Sequence, residues 1–130
     1  METGKDWRHL GNGLEIPTQS YRDQPYILKT DDGAWLCCVT TGAGEEGARG
    51  QHVTAMRSAD QGHSWSEPVP VEALDSPENS YAVMLKVPSG RIYIFYNHDT
   101  DNVRKVKCHD GKNEFERVDS LGHFVFRTLS

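Results

Sequence analysis

The sequence predicts an all-β protein on the strength of three observations. Short runs of β-branched, aromatic and aliphatic residues alternate with turn sequences, no segment has the spacing of a long amphipathic helix, and one strand–turn–strand pattern occurs twice. With 130 residues, the chain has the size of one small domain or of part of a larger one.

The first predicted hairpin has strands at residues 26–30 and 34–41, joined by the turn Asp31-Asp32-Gly33. Asp-Gly between two β-rich runs is a strong hairpin signal. A third strand is predicted at residues 52–58. The loop before this strand contains four glycines, which predict sharp turns.

The second predicted hairpin has strands at residues 81–87 and 91–96 around Pro88-Ser89-Gly90, with a third strand at 122–127. The longer loop before that strand has room for an additional strand at 103–108. The two hairpins align at a constant offset of 57 residues, which pairs Leu28 with Leu85, Lys29 with Lys86 and Gly33 with Gly90. This alignment predicts an internal repeat, with units at 21–76 and 77–130 after a lead-in at 1–20.

Charge and composition exclude several classes of partner. The chain has 14 basic and 19 acidic residues, a net charge of −5, and no basic stripe, so no nucleic-acid partner is expected. No apolar run is long enough to span a membrane, and no membrane partner is expected. Residues 1–14 carry no apolar signal-peptide core, so the default expectation is a cytoplasmic protein.

The cysteines predict neither a disulfide framework nor a metal site. Cys37 and Cys38 are adjacent, so in a strand they point to opposite faces, and Cys108 is distant from both. No metal and no other cofactor is expected.

The most specific motif is Ser58-Ala59-Asp60-Gln61-Gly62-His63-Ser64-Trp65. It resembles the Asp box, Ser-x-Asp-x-Gly-x-Ser/Thr-Trp, which is the repeat signature of the sialidase (neuraminidase) superfamily. Asp60 can accept hydrogen bonds from backbone N–H groups of its own turn, and Gly62 can adopt a positive φ. Ser58 and Ser64 can tie the ends of the turn, while Trp65 covers the sheet. The motif is expected to be structural.

The resemblance extends through most of the first unit. Asp23-Gln24-Pro25-Tyr26-Ile27 stands where sialidase-like chains begin their first blade with an Arg-Ile-Pro element, and the order of elements down to Glu67-Pro68 is the same. More narrowly, it resembles the sialidase-like proteins of environmental bacteria that carry Asp-Gln-Pro-Tyr at this place.

The fold implied by this resemblance is a six-bladed β-propeller, of which the chain is a fragment of about two blades. Blade 1 would occupy residues 21–76 with its Asp box at 58–65. Blade 2, at 77–130, would be incomplete, because no second Asp box follows its third strand.

The implied function is hydrolysis of terminal glycosides by the parent protein, with this fragment inactive alone. The alternative is a non-catalytic module for carbohydrate binding or assembly. In either case the expected partner is a carbohydrate substrate or ligand. Self-association through the open blade edges is a further expectation.

One departure from the family pattern concerns the substrate. Alignment on Pro25 places Asp23 where the family has its first substrate-carboxylate arginine, and Arg22 would face the other side of a regular strand. The resemblance therefore implies a neutral sugar, or one that offers hydroxyl groups to Asp23, in place of a sialic acid.

Strand direction places the start of the first strand and the loop between the second and third strands at one end of the sheet. The family's acid/base residue lies in that loop, which contains Glu45 and Glu46. These two residues, and Asp23 at the start of the first strand, are the candidate catalytic residues. The candidate substrate-binding residues near them are Arg22, Gln24, Arg49, Gln51, His52 and Asn79. Solvated loop carboxylates for Glu45 and Glu46, and a strand cap for His52, are the structural alternatives.

Overall fold

The computed structural model describes residues 5–6, 8–46, 48–100, 105–107, 112, 114–116 and 123–129. The fold is all-β, as predicted, and the one helical element in these ranges is a 3-10 turn at Leu10–Asn12. In the part of the chain described, no helix has the length and apolar character needed to cross a membrane.

The first sheet has four antiparallel strands in the order β1-β2-β3-β4. They are β1 Tyr21–Lys29, β2 Trp35–Gly42, β3 His52–Ser58 and β4 Val69–Pro70. The three predicted strands are confirmed. The first begins earlier than predicted, since the chain stays paired with β2 through a bulge as far as Tyr21. The short β4 was not predicted, because two residues ending in proline carry no strand periodicity.

The second sheet contains β5 Asn79–Lys86, β6 Ile92–His98 and β9 His123–Leu129, in the order β5-β6-β9. It confirms the three strands predicted for the second unit. Between β6 and β9, a small hairpin pairs β7 Lys105–Lys107 with β8 Glu114–Glu116. The first of these strands lies inside the additional strand predicted at 103–108.

The strand register shows that the repeat reaches beyond the aligned residues. The pairing of β1 with β2 shifts between Asp23 and Tyr26, and the pairing of β5 with β6 shifts between Ser80 and Val83. These positions, and their partners on β2 and β6, are again 57 residues apart. The two hairpins therefore have the same bulge at the same place.

The two sheets pack face to face around an apolar core. It consists of fully or nearly buried side chains from both sheets: Cys38, Val53, Ala82, Met84, Ile92, Ile94 and Tyr96. Fully burying a valine, isoleucine or methionine side chain contributes ~1.5–3 kcal/mol to the stability of the fold. A second cluster lies on the opposite face of the first sheet, where Ile16 and Trp65 cover Cys37, Val39 and Met56. Cys37 and Cys38 thus point to opposite faces and are unpaired thiols, as predicted.

The turns of the two hairpins also touch. Lys86 Nζ forms an ion pair with Asp31 Oδ1 at 2.7 Å, which links β5 to the first turn. Gly90 has a φ of +83°, and a Cβ at this position would lie 2.5 Å from Asp31 Oδ2. The positive φ therefore favours glycine at position 90, and a Cβ there would displace the Asp31 side chain.

Candidate functional site

A small cleft lies between the two sheets, at the end that strand direction indicated. It includes five of the predicted site residues, Asp23, Gln24, Glu46, Gln51 and Asn79. The rest of its lining is Tyr21, Thr40, Glu78, Ser80 and Tyr81. The cleft has a volume of about 20 Å³, which is room for a water-sized group.

Asp23 and Tyr21 form the central pair of the cleft. Both lie on the same face of β1, and the Tyr21 hydroxyl donates to Asp23 Oδ2 at 3.2 Å. Burial, followed by the negative charge and hydrogen bond of Asp23 and the charge of Glu46, raises the pKa of Tyr21 to about 12. At neutral pH Tyr21 is therefore a hydrogen-bond donor and not a phenolate nucleophile.

The bulge in β1 is fixed by the same carboxylate. The backbone N–H of Gln24 donates to Asp23 Oδ1 at 2.8 Å, so both oxygens of Asp23 are engaged. The bulge follows Asp23 and does not turn Arg22 toward the cleft. Arg22 pairs with Thr41 in the register and forms an ion pair with Glu15 on the opposite face.

The loop between β2 and β3 separates the two glutamates that the sequence left equivalent. Glu46 lines the cleft, whereas Glu45 contributes its carbonyl oxygen, which accepts a hydrogen bond from Gln51 Nε2 at 3.0 Å. Positive φ angles at Gly44 (83°) and Gly50 (85°) give this loop the sharp turns expected from its glycines.

Two other predicted residues lie outside the cleft lining. Arg49 is exposed. His52 has its Nδ1 at 2.9 Å from the carbonyl oxygen of Gly50, and it lines a separate depression on the other face of the first sheet with Thr41 and Pro70.

Asn79 joins the two sheets. It is 1% exposed, and its Oδ1 accepts the Val53 N–H at 2.7 Å, while its own backbone N–H donates to the Gln51 carbonyl at 3.3 Å. Beside it, Glu78 Oε1 accepts the Gly50 N–H at 2.7 Å. These bonds fix the end of the loop against the start of β5.

The charge of the cleft is negative. Asp23, Glu46 and Glu78 are in its lining, and none of the described lining residues is Lys, Arg or His. Such a site disfavours an anionic ligand and offers acceptors to hydroxyl groups. Among residues whose side chains the structure describes, no three His, Cys, Asp or Glu are grouped to hold a metal ion.

No protein-family model matches the chain, and no curated protein is significantly similar to it. The two features of the molecule that bear on function are the cleft and the motif at the other end of the first sheet.

That motif forms a hydrogen-bonded turn between β3 and β4. Asp60 Oδ1 accepts from the Ser58 hydroxyl and the Ser64 N–H, both at 2.8 Å, and Asp60 Oδ2 accepts from the Ser64 hydroxyl at 2.6 Å. The Gly62 N–H donates to Ser58 Oγ at 2.7 Å, and Gly62 has a φ of +88°. The bonds from Ser64, then that from Ser58, lower the pKa of Asp60 to about 2.

Of the five lining residues outside the predicted set, Glu78 is adjacent to the predicted Asn79, and the other four were not predicted: Tyr21, Thr40, Ser80 and Tyr81. Tyr21 could have been found, because it lies two residues before Asp23 and shares its strand face. Thr40 and Tyr81 could not be predicted from sequence, because they meet only where the two sheets pack together. There the Tyr81 N–H donates to Thr40 Oγ1 at 3.3 Å.

Proposed function

We propose that the two sheets are successive blades of a sialidase-like six-bladed β-propeller, and that the cleft is part of its sugar site. The common 57-residue register supports the repeat, and the hydrogen bonding of Asp60 supports its interpretation as an Asp box. The cleft lies at the end opposite this turn, which is where the resemblance puts the family's substrate.

The proposed activity of the parent protein is hydrolysis of a terminal, uncharged sugar. The observation that carries this proposal is the Asp23–Tyr21 pair, which shares the cleft with Glu46 and with no cationic side chain among the described lining residues. Sugar hydroxyls can donate to Asp23, Glu46 and the Tyr21 hydroxyl oxygen, and can accept from the side-chain amide of Gln24. A sialic acid carboxylate would meet only negative charge here.

Glu46 is the candidate acid/base residue of this site. Glycoside hydrolysis needs a second group that acts as nucleophile or base on the other side of the bond. The raised pKa of Tyr21 disfavours that residue as the nucleophile, and both oxygens of Asp23 already accept hydrogen bonds. We therefore expect this chain alone to bind sugar without turnover, since losing one member of a catalytic unit typically removes ~10⁶ of the rate.

A non-catalytic carbohydrate-binding module is the second candidate. The volume of about 20 Å³ favours it, because a sugar ring would rest on the mouth of the cleft without entering it. In addition, Glu78 Oε1 and Asn79 Oδ1 already accept hydrogen bonds from the first sheet. One prediction distinguishes the two candidates. If the protein is a hydrolase, turnover by its parent depends on Glu46; if it is a binding module, there is no turnover.

Binding is tested by NMR titration of the chain with neutral monosaccharides and with sialic acid. We expect shifts around the cleft with a neutral sugar, and affinity about tenfold weaker for Asp23→Asn, since a charge-assisted hydrogen bond contributes ~1.5–3 kcal/mol. Glu67→Gln, a matched change in an exposed residue after the Asp-box turn, should bind as the wild type does. Preference for sialic acid, or equal effects of both variants, would refute the proposal.

Catalysis is tested with fluorogenic substrates. The 130-residue chain should turn over neither a sialoside nor neutral glycosides, and Glu46→Gln in an active longer parent should abolish its turnover. If the parent binds neutral sugars but hydrolyses none, the binding module is the correct choice. Sialoside turnover by the chain, lost in Arg22→Ala, would show that the alignment at Asp23 is wrong.

A further inference from the structure

Among the described residues, the second sheet has exposed apolar side chains on the face that points away from the first sheet. Along β5, Met84 is buried against the first sheet, whereas its neighbours Val83 and Leu85 are 48% and 52% exposed. Their cross-strand partners on the same face are Phe95 and Tyr93, respectively. The exposed Val83 and Leu85, with the partly buried Tyr93 and Phe95 beside them, form a patch on the side that faces away from the first sheet. We call it the outer patch. A solvated sheet face normally carries polar side chains at such positions.

The repeat indicates which kind of surface the outer patch can contact. Shifted by 57 residues, its members correspond to a set of residues in the first sheet: Tyr26, Leu28, Leu36 and Cys38. That set lies on the face of the first sheet that the second sheet covers, where Cys38 is fully buried and Leu28 and Leu36 pack against the shared core. The outer patch thus repeats a surface that already binds a β-sheet.

A complementary surface lies at the other end of the stack. The second sheet docks on the first through Met84, Ile92 and Ile94, which correspond at the same offset to Ile27, Trp35 and Cys37. Of these, Ile27 and Trp35 line a groove of about 380 Å³, together with Leu14, Ile16, Gln61, Gly62, His63 and Trp65. Ile27 is 43% exposed there. We call this the tryptophan groove.

From these two surfaces we infer that copies of this chain associate head to tail, with the outer patch of one copy in the tryptophan groove of the next. Each surface has the repeat-equivalent residues of a sheet contact that exists inside the chain. The inference rests on the proposed blade repeat: in a longer parent, neighbouring blades would cover both surfaces, and for the 130-residue chain alone the occupant is a second copy of the same chain.

The contact is heterologous, because the two surfaces differ and lie on opposite sides of the stack. Every copy in a dimer keeps one unused patch or groove, so association continues beyond two copies until a ring closes. The contact joins faces of sheets and does not use the open strand edges.

The experiment is sedimentation velocity of the full chain over a wide range of concentrations, with one variant for each surface. The double variant Val83→Glu with Leu85→Glu disables the outer patch, and Ile27→Glu disables the groove. Each variant alone should lose all species larger than the monomer. Because each retains the surface that the other lacks, an equimolar mixture should form a dimer and nothing larger. Leu74→Glu, an exposed apolar residue on neither surface, is the matched control and should associate as the wild type does.

A second measurement uses only the wild-type protein and so does not depend on whether a variant folds. Trp35 and Trp65 line the groove, so wild-type tryptophan emission should shift to the blue as concentration rises and the groove is covered. A wild type that stays monomeric with unchanged emission, or association that survives both surface variants, would overturn the inference. So would a mixture that fails to form a dimer from two correctly folded variants.

Discussion

Gln24 and Tyr81 occupy the same position of the two repeats, and both have a left-handed backbone, with φ of 51° and 57°. This conformation costs a residue other than glycine ~1–2 kcal/mol. Hydrogen bonds hold both in place: the Gln24 N–H donates to Asp23 Oδ1, and the Tyr81 N–H donates to Thr40 Oγ1. Both residues line the cleft, so the backbone strain of each repeat lies where the two sheets converge.

The strain at Gln24 predicts that glycine stabilises this position. Glycine adopts positive φ without steric cost, although it loses more backbone entropy on folding. We expect Gln24→Gly to raise the free energy of unfolding by up to ~1 kcal/mol, and Gln24→Val to lower it by ~1–3 kcal/mol. Chemical denaturation followed by circular dichroism measures both.

The matched control is Gln19→Gly, at an exposed residue just before β1 that does not have a positive φ. There glycine brings only its entropic cost, and the free energy of unfolding should fall. A fall of equal size for Gln24→Gly would mean that the bulge is not strained.

The hydrogen-bonded turn around Asp60 predicts a pH-dependent contribution to stability. Because hydrogen bonds from Ser64 and Ser58 lower the pKa of Asp60 from 3.8 to about 2, its carboxylate stabilises the fold above about pH 4 and loses this effect as the pH falls toward 2. Asp60→Asn should be less stable than the wild type at neutral pH, and the difference should narrow between pH 4 and pH 2. Urea denaturation midpoints at a series of pH values measure this difference.

Asp75→Asn serves as the control, since Asp75 is an exposed residue outside the turn around Asp60. Its stability should follow that of the wild type at every pH. Asp32 also has a pKa lowered to about 2, chiefly by hydrogen bonds from Thr30 and Arg57, but it is present in all three proteins and its effect cancels. A difference for Asp60→Asn that stays constant down to pH 2 would contradict the assignment.

The adjacent cysteines are predicted to be unreactive in the folded protein. Burial raises the pKa of Cys37 to about 11 and that of Cys38 to about 12, and the thiolate is the reactive form. Cys108 lies outside the described residues, so the experiment uses Cys108→Ser. In this variant a thiol-specific reagent at pH 8 should label nothing in the native state and both thiols in denaturant. Rapid native labelling would place one thiol at the surface.

The fold was predictable from sequence because its signals are local. Asp32-Gly33 and Ser89-Gly90 mark the two hairpin turns, and the alternation of apolar residues marks the strands around them. The bulges were not visible, because Gln24 and Tyr81 share no side-chain chemistry and their common backbone conformation appears only in the register.

The site was predictable in position but not in composition. Strand direction alone placed Asp23 and the loop after β2 at one end of the molecule. Which loop carboxylate faces the cleft depends on the turns at Gly44 and Gly50, and the sequence therefore left Glu45 and Glu46 equivalent. Contacts between the sheets carry no local signal. The pairing of Glu72, which follows β4, with Tyr96 in β6 is of this kind.

This buried pair gives the last prediction. The hydroxyl of Tyr96, a fully buried residue, donates to Glu72 Oε1, and His98 Nδ1 lies 3.8 Å from the same oxygen. Tyr96→Phe removes the donor but keeps the ring, so we expect the free energy of unfolding to fall by ~1–3 kcal/mol. Tyr26→Phe, in a partly exposed tyrosine, should change it by less than ~0.5 kcal/mol. A double-mutant cycle with Glu72→Met, which removes the acceptor, isolates the pair, because Tyr96→Phe should then cost less in the Glu72→Met background than in the wild type. Additive effects would show that the hydrogen bond does not couple the segment after β4 to the second sheet.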